Sequence, residues 1–166
     1  MSPNLHWKDL VIGRSPKRTL LRLIVIASIA YIVFGYVFRP MHISGASMEP
    51  TYHDGSFTFI CLLKYCRHPP ERGSVVAIRY LGTDVMLLKR VIGLPGERIA
   101  FHDGAAYANG RPLSEPYVTL PCDWNVEAVE VGPEEYYVVG DNRSMPEKNH
   151  RKGRVSRYRV MGGPLF

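Results

Sequence analysis

The sequence predicts a mainly β protein, an antiparallel β-sheet domain carried behind one N-terminal transmembrane helix. Three observations predict it. Leu23 to Phe38 reads LIVIASIAYIVFGYVF, sixteen residues without a charge. Beyond Pro40 the apolar runs shorten and are broken by turn residues. The 15 glycines and 13 prolines in 166 residues are too many breakers for a helical bundle. The chain therefore divides into a basic N-terminus over 1–19, an anchor over 20–38 and a β-rich domain over 41–166.

The anchor comes first. The nineteen residues 20–38 include one charge, Arg22, close enough to the end to snorkel. As a helix, the sixteen to nineteen residues span roughly 24 to 29 Å, near the ~30 Å hydrocarbon core. Lys8, Arg14, Lys17, Arg18 and Arg22 precede or open it, and only Asp9 opposes them. The excess of cations places that end in the cytoplasm and everything beyond Arg39 on the far side. A cleaved signal peptide is the rival reading, since Ser44-Gly45-Ala46 has a small-x-small pattern. The run is long for a signal peptide, and cleavage there would make Ser47 a new N-terminus. A retained anchor is therefore favoured.

The strands follow in order. SFTFICLL (56–63), GSVVAIRY (73–80) and DVMLLKRVI (84–92) are strand candidates. RIAFHDGAAYANGRPL (98–113) reads as a hairpin turning at Asp103-Gly104, with a second turn at Asn109-Gly110. EYYVVGDN (135–142) is a strand entering a Gly-Asp-Asn turn. No helix is expected after the anchor.

The net charge of +6 is concentrated in Lys8–Arg22 and Arg143–Arg159. Such a balance suits an anionic lipid surface or nucleic acid. No zinc-finger spacing or helix-turn-helix pattern supports nucleic acid, and none is expected as a partner. Three cysteines, Cys61, Cys66 and Cys122, make no disulfide framework. On one extended strand Cys61 and Cys66 would lie about 16 Å apart, too far to bridge, although a turn between them would change that. The six histidines are scattered, and no metal site is expected.

Ser47 follows the anchor in SGASMEPT (44–51), and a serine attacks a carbonyl only when a base takes its proton. Neither His53 nor His150 is marked as that base. Lys89, in VMLLKRVIGLPG, is the stronger candidate. On a strand it shares a face with Val85, Leu87 and Val91, and burial there disfavours the ammonium and lowers the lysine's pKa. Taken singly, Ser47 is an ordinary turn serine and Lys89 a snorkelling strand-edge lysine. Together with the anchor and GDNR they form an ordered set.

That set resembles the type I signal peptidases, membrane-bound serine–lysine peptidases that remove signal peptides from exported proteins. SGASMEPT, RGSVVAIRY, LLKRVIGLPGE and YYVVGDNR match the family's boxes in order, from the anchor to the C-terminus. The resemblance implies that Ser47 is the nucleophile and Lys89 the general base. It implies an oxyanion hole from the Ser47 N–H with Gly45, which falls where some relatives carry a hydroxyl. It implies that Ile43 and Leu88 line the groove for small substrate side chains, and that Asp141 and Arg143 support the lysine region. It further implies exported preproteins and the lipid membrane as partners and no cofactor. The location implied is the inner (plasma) membrane, single-pass, with an extracytoplasmic catalytic domain.

The chain departs from the family after GDNR, where it reads SMPEKNHRKGRV. Pro146 holds the usual serine position and Lys148 the later acidic one; Ser144 is the expected substitute for the missing hydroxyl. Three alternatives stand beside this reading. A related processing peptidase would serve a conjugation or pilus subunit. A non-enzymatic anchored binding module would make Ser47 and Lys89 dispensable. Self-cleaving repressors share such a Ser–Lys domain but carry a DNA-binding module and no membrane span.

Overall fold

The computed structural model describes residues 15–80, 86–150 and 153–165. It divides into two compact units, one ending at Phe38 and one beginning at Arg39.

The first unit is the helix α1, Pro16–Ile32, continued by a π-helical turn over Val33–Val37. It begins four residues before the expected anchor. Pro16 sits in the first helical turn, where its fixed φ suits the start and its missing N–H has no intrahelical acceptor to lose. Pro16–Val37 has a mean hydropathy of 2.2, and none of the residues scored in it is buried by protein. At 1.5 Å per residue its 22 residues span about 33 Å. A helix apolar all round and covered by no protein suits lipid better than water.

The second unit is built of strands. They are β1 Phe38–His42, β2 Phe57–Cys61, β3 Val75–Arg79, β4 Met86–Gly93, β5 Arg98–His102 and β6 Ala105–Ala108. After them come β7 Arg111–Pro112, β8 Val126–Glu130, β9 Glu135–Val139, β10 Gly153–Ser156 and β11 Val160–Pro164. A seven-stranded sheet runs β1-β2-β11-β3-β4-β9-β10, and a four-stranded sheet runs β7-β6-β5-β8. The fold class is the one expected, mainly antiparallel β behind a single apolar N-terminal helix.

All five expected strand segments hold strands. The 98–113 hairpin turns where expected, with Asp103 and Asn109 at φ 48° and 50° ahead of Gly104 and Gly110 at 79° and 76°. Strands β1, β8, β10 and β11 were not expected. Val85, placed on the Lys89 face by the sequence, lies outside the described residues.

Side chains alternate along β3, β4 and β9 and so fill different clusters. Val76, Ile78, Val91, Tyr136 and Val138 form one. Ala77 and Leu88 join Met41, Ile43, Met48 and Ile60 in a second. Ile92, Tyr137 and Val139 pack with Ile99 and Phe101 of the smaller sheet in a third. The third joins the sheets; the second underlies the loop that carries Ser47.

Candidate active site

Ser47 sits in a 3₁₀ turn, Ala46–Met48, between β1 and β2. The chain enters through Gly45 at φ 101°, a conformation that L side chains rarely adopt, so glycine fits where a hydroxyl residue would be strained. The loop is tied at its neck. Ile43 N donates to Ser56 O, and Gly55 N to Ile43 O, both at 2.9 Å. Met48 anchors the turn, 1% exposed in the cluster below.

The Gly45 N–H donates to Asp54 Oδ1 at 2.8 Å. An N–H directed at a carboxylate is not available to a developing oxyanion. For Gly45 to share the oxyanion hole with Ser47, as expected, that bond would have to open.

Lys89 comes from β4, paired in register with Val76 of β3. It is 3% exposed, and its Nζ lies 2.5 Å from Ser47 Oγ. Two residues 42 apart in sequence therefore meet within hydrogen-bond reach. Ile43 and Leu88, each 4% exposed, share the cluster beneath. With Gly45, Ser47, Lys89 and Met145 they line an open cleft of about 860 Å³.

The turn after β9 forms the back of the site. Asn142 N donates to Ser47 O at 3.1 Å, and Asn142 Nδ2 to Ala46 O at 3.0 Å. Asp141, fully buried, accepts from Arg90 Nε at 2.8 Å and Nη2 at 2.6 Å, and from Thr51 Oγ1 at 2.5 Å. It thereby joins the serine loop to the residue after Lys89. Burial opposes the charge of Arg90, but the Asp141 carboxylate more than offsets it, and the guanidinium pKa is raised. Burial likewise pushes the Tyr52 phenol up.

Arg143 lies behind the same turn. Its fully buried guanidinium donates to Gly140 O at 2.9 Å and to both oxygens of Glu115, at 3.1 and 2.5 Å. It shapes the turn, while Asp141 makes the connection to β4. The Ser144 hydroxyl donates to Asn142 Oδ1 at 2.6 Å, which leaves its acceptor sites open. His53 is exposed on the loop, and the His150 ring stacks edge-on against Trp124 with centroids 4.8 Å apart. The three cysteines are free thiols. Among the described residues no cluster of His, Cys, Asp or Glu has the arrangement to hold a metal ion.

Sequence reasoning gave no role to Thr51, Asp54 or Glu115, and named Gly140 and Asn142 only as part of the Gly-Asp-Asn turn. Thr51 and Glu115 work through partners distant in sequence, and Asp54 through the fold of the serine loop.

A family model described as signal peptidase, peptidase S26, matches residues 17–163. The chain is similar to the probable signal peptidase I-1 of Synechocystis, 30% identical over 158 residues that cover 90% of this chain and 81% of that one. It is 33% identical to the signal peptidase I of Bacillus licheniformis over 158 residues, 87% of this chain and 83% of the relative. Among solved structures it is similar to a signal peptidase I of Enterococcus faecalis V583, with a TM-score of 0.46, 28% identity and coverage of 57% and 95% of the two chains.

Proposed function

The chain belongs to the signal peptidase family, peptidase S26, and from that premise we propose that Ser47 and Lys89 are the pair with which it cuts. The protein is a membrane serine endopeptidase that cleaves signal peptides, and exported preproteins are its substrates. The observation that carries the assignment is the 2.5 Å approach of a buried lysine amine to a serine hydroxyl in the floor of a cleft.

Neutral Lys89 takes the proton of Ser47 Oγ, and Oγ attacks the carbonyl carbon of the scissile bond. The Ser47 N–H stabilises the oxyanion. Lys89 returns the proton to the departing amine, leaving an acyl-enzyme on Oγ. Neutral Lys89 then takes a proton from water, the resulting hydroxide attacks the acyl carbon, and Lys89 returns that proton to Ser47 Oγ as the signal peptide leaves, its new carboxyl group ionising in solvent.

The substrate lies extended along β1 and the start of β4, adding its backbone as a strand. Ile43 and Leu88 shape the shallow pockets that take its small side chains. The helix α1 crosses the membrane with Lys17, Arg18 and Arg22 toward the cytoplasm, so the β domain works on the extracytoplasmic side. Protease added to intact spheroplasts is expected to digest the chain beyond Pro40; protection of that domain would reverse the topology. For the activity itself, the detergent-solubilised protein is incubated with a preprotein: the wild type releases mature product and Ser47→Ala releases none.

A further inference from the structure

The turn that holds Ser47 is itself held from outside the cleft. Its buried cation, Arg143, needs a counter-charge, and the Asp141 carboxylate is turned to Arg90 and Thr51. The carboxylate comes instead from Glu115, in the strandless segment between β7 and β8. The pair is bidentate and nearly dry, with side chains 0% and 9% exposed. Such geometry fixes direction as well as charge.

Tyr117, two residues on, completes the clasp. Its hydroxyl donates to Glu115 Oε1 at 2.9 Å, and its ring lies 3.9 Å from the guanidinium carbon of Arg90. Burial, with the Glu115 carboxylate beside it, raises the phenol's pKa and keeps it a neutral donor. One short segment thus touches both arginines that flank the site: Arg90, next to Lys89, and Arg143, which caps Gly140 O behind Ser47.

We propose that Glu115, steadied by Tyr117, is a positioning residue for the peptidase reaction. It fixes Arg143, Arg143 fixes the Gly140–Asn142 turn, and that turn sets the main chain of Ser47. The inference rests on the assignment of Ser47 as nucleophile. Glu115 is outside the set of residues that line the cleft, so it acts on the attacking atom and not on substrate binding.

The test is preprotein cleavage by the full chain in detergent, with kcat normalised to the folded fraction from near-ultraviolet circular dichroism. Glu115→Gln is expected to lower kcat about tenfold or more while KM stays within about twofold. Tyr117→Phe, which keeps the ring over Arg90 and removes only the donor, is expected to fall between that variant and the wild type. If Glu115→Gln does not fold, Glu115→Asp carries the test, because its carboxylate is one methylene short of Arg143 and the same fall in kcat at constant KM is expected. Wild-type kcat per folded molecule in whichever of these two variants folds would overturn the proposal. Ser47→Ala in the same assay separates the two claims: residual cleavage there would remove the nucleophile assignment, whatever Glu115 shows.

Discussion

Gly140 and Ser47 meet backbone to backbone. A Cβ on Gly140 would lie 2.0 Å from the Ser47 carbonyl oxygen and 2.7 Å from Cε1 of His150. Neither neighbour yields cheaply, because one is main chain and the other is a buried ring. Only glycine lets the turn after β9 lie flat against the nucleophile's peptide.

Gly140→Ala must therefore push the two loops apart. Overpacking of this kind costs about 1 to 3 kcal/mol of stability. The larger effect falls on rate, since the displaced group is the peptide of Ser47 itself. The expected result is a folded protein with kcat reduced by about a hundredfold or more, read by cleavage kinetics alongside a thermal melt. Unchanged kcat would mean that the turn does not hold Ser47.

Asp141 carries a second prediction. It is fully buried and bidentate to Arg90 while accepting from Thr51. Asp141→Asn leaves a largely buried guanidinium without its counter-charge, a loss of about 3 to 5 kcal/mol. Urea titration is expected to show a lower midpoint at an unchanged slope. A midpoint equal to that of the wild type would show that solvent already satisfies Arg90.

The pH profile is the third. Free lysine titrates near ~10.4, so at neutral pH it is almost wholly protonated and cannot act as a base. Lys89 is 3% exposed, and burial disfavours its charged form. The sign follows: kcat/KM rises with pH as Lys89 loses its proton and then levels off, with the acid limb below the free-lysine value. A rate that keeps climbing to the pKa of free lysine would show that the amine is not desolvated.

What the sequence made legible was local. Asp-Gly and Asn-Gly announced the turns at 103–104 and 109–110 because φ > 0 is a property of those residues. The apolar runs announced β2, β3, β4 and β9 because each is buried on at least one face. The strands that escaped lack that signature. Strand β8, Val126-Glu-Ala-Val-Glu130, lies at a sheet edge with three of its five residues exposed. Strand β11, Val160-Met-Gly-Gly-Pro164, has poor strand formers yet pairs between β2 and β3, held there by its neighbours.

The site divides the same way. Ser47 and Lys89 were legible as a serine and a lysine set in recognisable surroundings. The bonds that Ser144 and Gly45 make to Asn142 and Asp54 were not legible, because they depend on how the two loops fold back. Glu115 lies 28 residues from Arg143 and Thr51 lies 90 from Asp141, and no local pattern encodes such pairings.

The most direct measurement is the double-mutant comparison of Ser47→Ala, Lys89→Ala and both together, by kcat/KM on a preprotein. Groups that act as one unit lose their effect together. Each single variant is expected to fall to background with the fold retained, and the double variant to be no worse than either. Substantial cleavage by Ser47→Ala or by Lys89→Ala would contradict the account.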